Sequence, residues 1–505
     1  MLIMFFHLFP GQICLLRSQK SIIRNPSYAC LSEVNHNQEA MSKKLLDHFQ
    51  SKQRSVEERM AAGKELREKF PRDKQGDYKP AKRRVDPVSI LEEQAKTRLP
   101  ELVPIRYARM LTSPFAFLRG AAAIMSADLA AQGKTTGLQV QACGDMHVAN
   151  FGIFASAERN LIFGINDFDE TLPGPWEWDL KRLVASIVAA GRFLGAGKGL
   201  CKDAVRSAAS SYRKRMREYA YMGNMELWYS TIKEDDIMKT LSKTAQEGLK
   251  KIASKARERT HMQVLGKLTD LVDEKFRLRD DAPFIVHETH TQNGIPIEEA
   301  LEMFLQSYVK SLADDRRFLL DQYRIVDVAR KVVGVGSVGS RCWVIFLKGN
   351  HDEDPLFLQL KEAQPSVLEP FADKSKYKNN GQRVVAGQRL IQGAPDIFLG
   401  WGEHNGLQYY VRQLRDMKGG VEFDPDKVKI ENLPQYAAIC AWALALAHAK
   451  SGDAALIGGY VGKNDDLDEA MVKFAFAYAD QTEMDYQSLV AAAKSGRIKV
   501  GASGS

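Results

Sequence analysis

The chain of 505 residues is poor in the two residue types that build most metal and redox sites, with six cysteines and ten histidines. Cys14, Cys30, Cys143, Cys201, Cys342 and Cys440 are scattered and form no C-x-x-C pair. That argues against a zinc knuckle or a disulfide framework and for a reducing compartment, so the expected location is the cytoplasm. Long apolar runs are missing too, and no stretch approaches the roughly 18 to 20 apolar residues a membrane span needs. The opening "MLIMFFHLFPGQICLL" has neither the basic n-region nor the small-residue cleavage site of a secretory signal. Residues 1–40 are therefore expected to be an over-extended start or disordered, with Met41 opening a sequence of ordinary soluble texture. Charge of one sign is lacking from most of the chain: residues 1–110 hold 21 Lys/Arg against 13 Asp/Glu, the whole of the net +8. The densest basic tract is Lys79-Pro80-Ala81-Lys82-Arg83-Arg84. A neutral body with one basic arm reads as a solvated arm and implies no specific nucleic-acid partner.

What is present is a chain long enough for two or more lobes, with texture that changes along it and no repeat of fixed period. Residues 41–100 are charged and punctuated by proline, a helical or loosely attached arm. Residues 101–325 are helix-rich, 326–420 β-rich, 421–495 helical again, and 496–505 a tail, so the class is α+β. "FLRGAAAIMSADLAAQG" (117–133) predicts one helix ended by glycine. "WDLKRLVASIVAAGRFLG" and "PQYAAICAWALALAHAK" predict buried helices, and "IFLGWGEHNGLQYYVRQL" a hairpin turning at Asn405-Gly406.

The residues that carry chemistry sit at strand ends. "LQVQACGD" and "LIFGINDF" are short β-prone runs, and between and after them come Asp145, Asn150 and Asp167. Two loops leaving neighbouring strands would bring these side chains together. Carboxylate and amide oxygens are what a hard ion such as Mg²⁺ takes, with phosphate and water completing the shell. An Asp outside that shell can orient or deprotonate a hydroxyl. The bland alternative, turn residues satisfying backbone donors, suffices for any one of them but less well for three in this pattern. Downstream, "VVGVGSVGSRCWVIFLKG" carries Gly334-x-Gly336-x-x-Gly339 with Ser337 inside it. A dinucleotide fold needs a helix after such glycines. Here Arg341 to Leu347 is β-branched and aromatic, so a strand follows, and strand, glycine turn, strand is the shape that covers phosphates in kinases. Lys361 then sits in the β-prone "LFLQLKEA".

The order Asp145, Asn150, then Asp167-Phe168-Asp169 resembles the kinase pattern H-R-D-x-x-x-x-N followed by D-F-G. Its Gly-Asp-x-His-x-x-Asn form is similar to the aminoglycoside and choline kinase branch. The resemblance implies that Asp145 is the catalytic base, with His147 a phosphate-facing neighbour, and that Asn150 and Asp167 hold the metal. Asp169, standing where protein kinases have glycine, is counted with the metal group. Asp179 in "WDLKRL" would brace the catalytic loop. Gly334, Gly336, Ser337, Gly339 and Lys361 would hold nucleotide phosphates, with Glu369 or Glu362 as the acid pairing Lys361. Arg119 in "SPFAFLRG" reads as a helix-start ion pair, or else as an acceptor or phosphate contact. The glycine loop follows the catalytic loop by some 190 residues, whereas kinases have the reverse order, so the two-lobed kinase-like fold would be circularly permuted, with 411–420 as the hinge.

The wording of the motifs also resembles the bacterial domain of unknown function 2252 proteins, from about residue 50 nearly to the C-terminus. The matching text is "GDMHVANFG", "NDFDET", "GPWEWDLKRL", "KVVGVGSVGSRC", "QLKEA", "GQRLIQGAPDIFLGW" and "SGDAALIGGY". The expectation is an ATP- and Mg²⁺-dependent phosphotransferase acting on an acceptor that the sequence does not identify. The alternatives are a nucleotide-binding pseudokinase, an AMP-transferring kinase-fold protein, and a metal-dependent phosphoesterase suggested by "GDMH" and "GNHD" (349–352). The last lacks the further histidine motifs such dinuclear sites need.

Overall fold

In the computed structural model the described residues are Asp47 and 49–501, apart from 259–260, 292 and 415–416. The expectation for residues 1–40 and the end of the expected tail lie outside them. The main hydrophobic core is built by the helices Trp176–Phe193, Lys198–Tyr219, Leu433–Ser451, Ala454–Val461 and Asp466–Lys494. In the first of these, Leu180, Leu183, Val184, Ile187 and Val188 fall at helical spacing and are fully buried, each contributing roughly 2 kcal/mol by leaving water. Alanines at 437, 441, 445 and 447 let the Leu433–Ser451 helix run through the centre of this core.

The described residues form thirteen strands, numbered in chain order. β1 (Gln139–Ala142) pairs with β4 (Leu172–Pro175), and β2 (Phe151–Ala155) with β3 (Leu161–Ile165), which β5 (Ile232–Lys233) extends. β6 (Thr269–Val272) and β7 (Lys275–Leu278) form a separate ribbon. β8 (Ile285–Val286), β9 (Arg324–Lys331), β10 (Cys342–Lys348), β11 (Pro355–Glu362), β12 (Gly400–His404) and β13 (Leu407–Gln413) make one antiparallel sheet in the order 12-13-11-10-9-8. Period-two alternation sorts β11: Leu356, Leu358 and Leu360 join a second core against the Ile297–Lys310 helix, so Gln359 and Lys361 belong to the opposite face. β12 and β13 turn at Asn405-Gly406, both with positive φ, as the Asn-Gly pair predicts.

Three details differ from the sequence expectations. β8 and the Ile297–Lys310 helix, which the sequence assigned to the helical block, belong with the sheet, so that layer begins near 285 and not at 326. The helix expected over 117–133 is two, Pro114–Gly120 and Ala122–Ala131, broken at Ala121 where the buried Arg106 takes the Gly120 carbonyl. Residues 56–100, expected as an arm, are packed: the Val56–Lys69 helix lies on Ala454–Val461, and Arg84 bridges Asp128 and Asp485. Among the described residues no helix is long and apolar enough to cross a membrane, and Cys143, Cys201, Cys342 and Cys440 are buried and unpaired.

Candidate functional site

The loop after β1 turns at Gly144 with φ of 77°. A Cβ there would come 2.7 Å from the Glu170 carbonyl, so both backbone conformation and space require glycine. Asp179, from the first turn of the Trp176–Phe193 helix, accepts the Cys143 and Gly144 amides at 2.6 and 2.9 Å. It is itself held by His448, 3.2 Å away, whose other ring nitrogen meets the Tyr212 hydroxyl at 2.8 Å. Asp179 therefore fixes the loop, in the bracing position the sequence suggested.

Within the loop, Arg182 donates to Asp145 Oδ1 through Nε at 2.8 Å and through a terminal nitrogen, leaving Oδ2 open. His147 Nε2 lies 3.9 Å from that oxygen. Burial, with Arg119 and Arg182 close by, holds the His147 imidazole well below the usual histidine range, so it is neutral. The Asn150 side-chain amide donates to the Asp145 carbonyl at 3.0 Å, which leaves Oδ1 as the atom able to act as a ligand.

On the next loop, β3 delivers Asp167 and Asp169 to the same cleft, and β11 brings Lys361 against them. Lys361 is 2% exposed; its ammonium contacts Asp169 Oδ2 and lies 3.7 Å from Asp167 Oδ2. Tyr410 from β13 donates to Asp169 Oδ1 at 2.6 Å, and Ser337 Oγ lies 3.4 Å from Asp169 Oδ2. Burial pushes the Asp169 carboxyl up, but the Lys361 ammonium and the hydrogen bonds from Lys361 and Tyr410 prevail and hold it below the usual range. Asp167 goes the other way: burial and the charge of Asp169 raise it. Burial opposes the charge on Lys361, yet the two aspartates raise its pKa well above the ordinary lysine value.

The glycine turn lies over residues 98–119. Gly334 (φ 68°) accepts from Arg109 through its carbonyl, and a Cβ on Gly336 would meet the Arg119 carbonyl at 3.3 Å. The Gly339 carbonyl accepts from the Leu99 amide at 2.8 Å.

One cleft thus gathers Asp145, His147, Asn150, Asp167, Asp169, Gly334, Gly336, Ser337 and Arg119, with Lys361 in contact with its aspartates. Gly339 shapes the turn outside that set. Glu369 is also outside it, with Oε1 buried and unpartnered and the Arg383 guanidinium within electrostatic reach. Glu362 lines the cleft but holds Arg341, 3.0 Å from its backbone amide. The acid partner of Lys361 is therefore neither glutamate but Asp169, with Asp167 beside it. Arg119 shows no ion pair among the described residues and lines the cleft within electrostatic reach of Asp145. His351 and Asp352 of "GNHD" are exposed in the β10–β11 turn, away from the cleft.

As metal donors, Asn150 Oδ1 and Asp167 offer two hard oxygens. Among the described residues no three His, Cys, Asp or Glu side chains are grouped as a metal cage. The donor set suits a hard divalent ion that keeps water and phosphate ligands, not an all-protein site. Sequence reasoning missed Arg182, which a helical spacing of three from Asp179 placed on one face with it. It also missed Arg98, Arg106, Glu170 and Tyr410. Burial raises the Glu170 carboxyl to about 7 against the opposing Val367 amide and Arg383.

No curated protein and no solved structure matches the chain. The family model described as "Uncharacterized protein conserved in bacteria (DUF2252)" matches residues 98–492, and the chain belongs to that family.

Proposed function

We propose that this protein is an ATP- and Mg²⁺-dependent phosphotransferase with a two-lobed, circularly permuted kinase-like fold, acting on an alcohol-type acceptor. One observation carries the reading. Lys361, from β11, the second strand after the glycine turn, is in ion-pair contact with Asp169, 192 residues earlier, which lines the cleft that also holds Asp145 and Asn150. A glycine turn and a lysine meeting a catalytic-type loop from the far end of the chain is what a permuted phosphate site requires.

In this reading the backbone at Gly334, Gly336 and Ser337 covers the phosphates, and Lys361 neutralises them from below. Asn150 Oδ1 and Asp167 would hold Mg²⁺, which when bound would offset charge on the phosphate oxygens. Asp145 would orient the acceptor hydroxyl through Oδ2. It would receive the proton as the new O–P bond forms and the β,γ-bridging bond of ATP breaks. Arg182 keeps Asp145 in place, and neutral His147 adds no charge beside it. Rate enhancement would come mostly from positioning and charge stabilisation.

The test is ATP binding with and without Mg²⁺ for wild type, Asp167→Ala and Lys361→Ala. Wild type should bind with Mg²⁺, and either substitution should weaken binding by about a hundredfold or more, as loss of a charge-assisted contact does. Equal binding by all three would sink the reading.

A further inference from the structure

Arg98, Arg106 and Arg119 line the same cleft as the aspartates, and none of the three meets a carboxylate at ion-pair distance among the described residues. Arg106 is 1% exposed. One terminal nitrogen of its guanidinium donates to Gln94 and to the Gly120 carbonyl, both at 3.1 Å, while Nε and the other terminal nitrogen have no partner. Arg98 donates to the Val338 carbonyl, and its Nε is buried and unpartnered. The Nε of Arg119 is likewise buried without a partner.

The acids within electrostatic reach are already engaged. Glu170 takes the Val367 amide, Glu362 takes Arg341, Asp169 takes Lys361 and Tyr410, and Asp145 takes Arg182. Guanidinium groups remain protonated, and a buried positive charge with no counter-ion is costly. Arg106, with the half-buried Arg98 and Arg119 beside it around one cleft, makes a site for a multivalent oxyanion, and their forked donors match phosphate oxygens.

We propose that Arg98, Arg106 and Arg119 form a phosphate subsite that works without a metal ion and is distinct from the Lys361–Asp167–Asp169 centre. In naming a ligand class for the same cleft it rests on the phosphotransferase reading, although the arginines themselves do not require that reading. The phosphate could be the far end of the nucleotide chain or a group carried by the acceptor.

The experiment is calorimetric titration of the full chain with inorganic pyrophosphate in EDTA, for wild type, Arg106→Met, Arg119→Met and Asp167→Ala. Wild type should bind, Asp167→Ala should bind no more weakly since it removes a negative charge, and each arginine variant should bind at least tenfold more weakly. Failure of folded wild type to bind, or equal binding by the arginine variants, overturns the subsite. Arg106→Met is scored only if its thermal unfolding is cooperative; the half-buried Arg119→Met decides the matter otherwise. Pyrophosphate binding that depends on the arginines, together with no Mg²⁺–ATP binding, keeps the subsite and removes the phosphotransferase reading. Where both bind, competition between ATP and pyrophosphate assigns the subsite to the nucleotide, and simultaneous binding assigns it to a phosphorylated acceptor.

Discussion

Asp179 and Asp167 stand twelve residues apart, the first holding the loop after β1 and the second lining the cleft beside it. Asp179 is 1% exposed and receives two backbone amides and a histidine that is itself anchored by a tyrosine. Asp167 has a side chain 34% exposed, Lys361 at 3.7 Å, and one long contact of 3.4 Å from the Asp169 amide. The first carboxylate is saturated and holds geometry. The second is under-compensated, its carboxyl raised by burial and by the charge of Asp169, and lies where a ligand can reach it. Saturation separates the residues that build the cleft from those free to act in it.

Three substitutions press on that contrast. Asp179→Ala should cost on the order of 4 kcal/mol, because two loop amides and His448 lose their buried acceptor. Urea unfolding measures it, and a loss under about 1 kcal/mol would mean the network is ornamental. Lys181 tests the rule from the other side. It is a buried cation on the same helix, over the Phe474 ring at 5.0 Å, and burial lowers it to about 8. The folded state therefore binds fewer protons there than the unfolded chain. The cost is full below about pH 8 and is relieved as pH rises toward 10.5, where the unfolded lysine also loses its proton. Lys181→Met should be more stable at pH 7 by about 3 kcal/mol, and the gap between variant and wild type should close across that window. A pH-independent gap would refute the assignment. The smallest effect is expected from Asp167→Asn, which removes an under-compensated charge. The melting temperature should hold or rise, by no more than about 1 kcal/mol in stability, while Mg²⁺–ATP binding falls. A clear drop in melting temperature would place Asp167 with the structural carboxylates.

Much of the site was legible because it is local. Asp145 and Asp167 follow short apolar strands and Asn150 precedes one, while the strand after Gly339 ruled out a dinucleotide turn; each signal lies in a short stretch of sequence. Lys361 was readable as a lysine inside an alternating strand. Its partner was not, since the choice of Asp169 over Glu362 or Glu369 depends on how β11 faces the β3 loop, a long-range matter. Arg98 and Arg106 gave no signal at all, because arginines in helical, charged text usually face water. The break at Ala121 was hidden for the same reason: the group that captures the Gly120 carbonyl is Arg106, fourteen residues upstream. The packing of residues 56–100 escaped notice because composition describes a segment and not the surface that awaits it.

That surface sets an order for biosynthesis. A Cβ on Gly63 would lie 2.0 Å from the Leu456 carbonyl, and one on Gly459 would lie 2.1 Å from the Met60 carbonyl. Helices this close cannot be replaced by a looser partner, and the helices near Arg106 and Arg119 share a core with Leu489 and Ala492. In synthesis the strands of residues 285–413 are made before the Ala454–Val461 helix on which the Val56–Lys69 helix packs. Until then that earlier helix lacks the surface its Gly63 is shaped for, and the face stays open to chaperones.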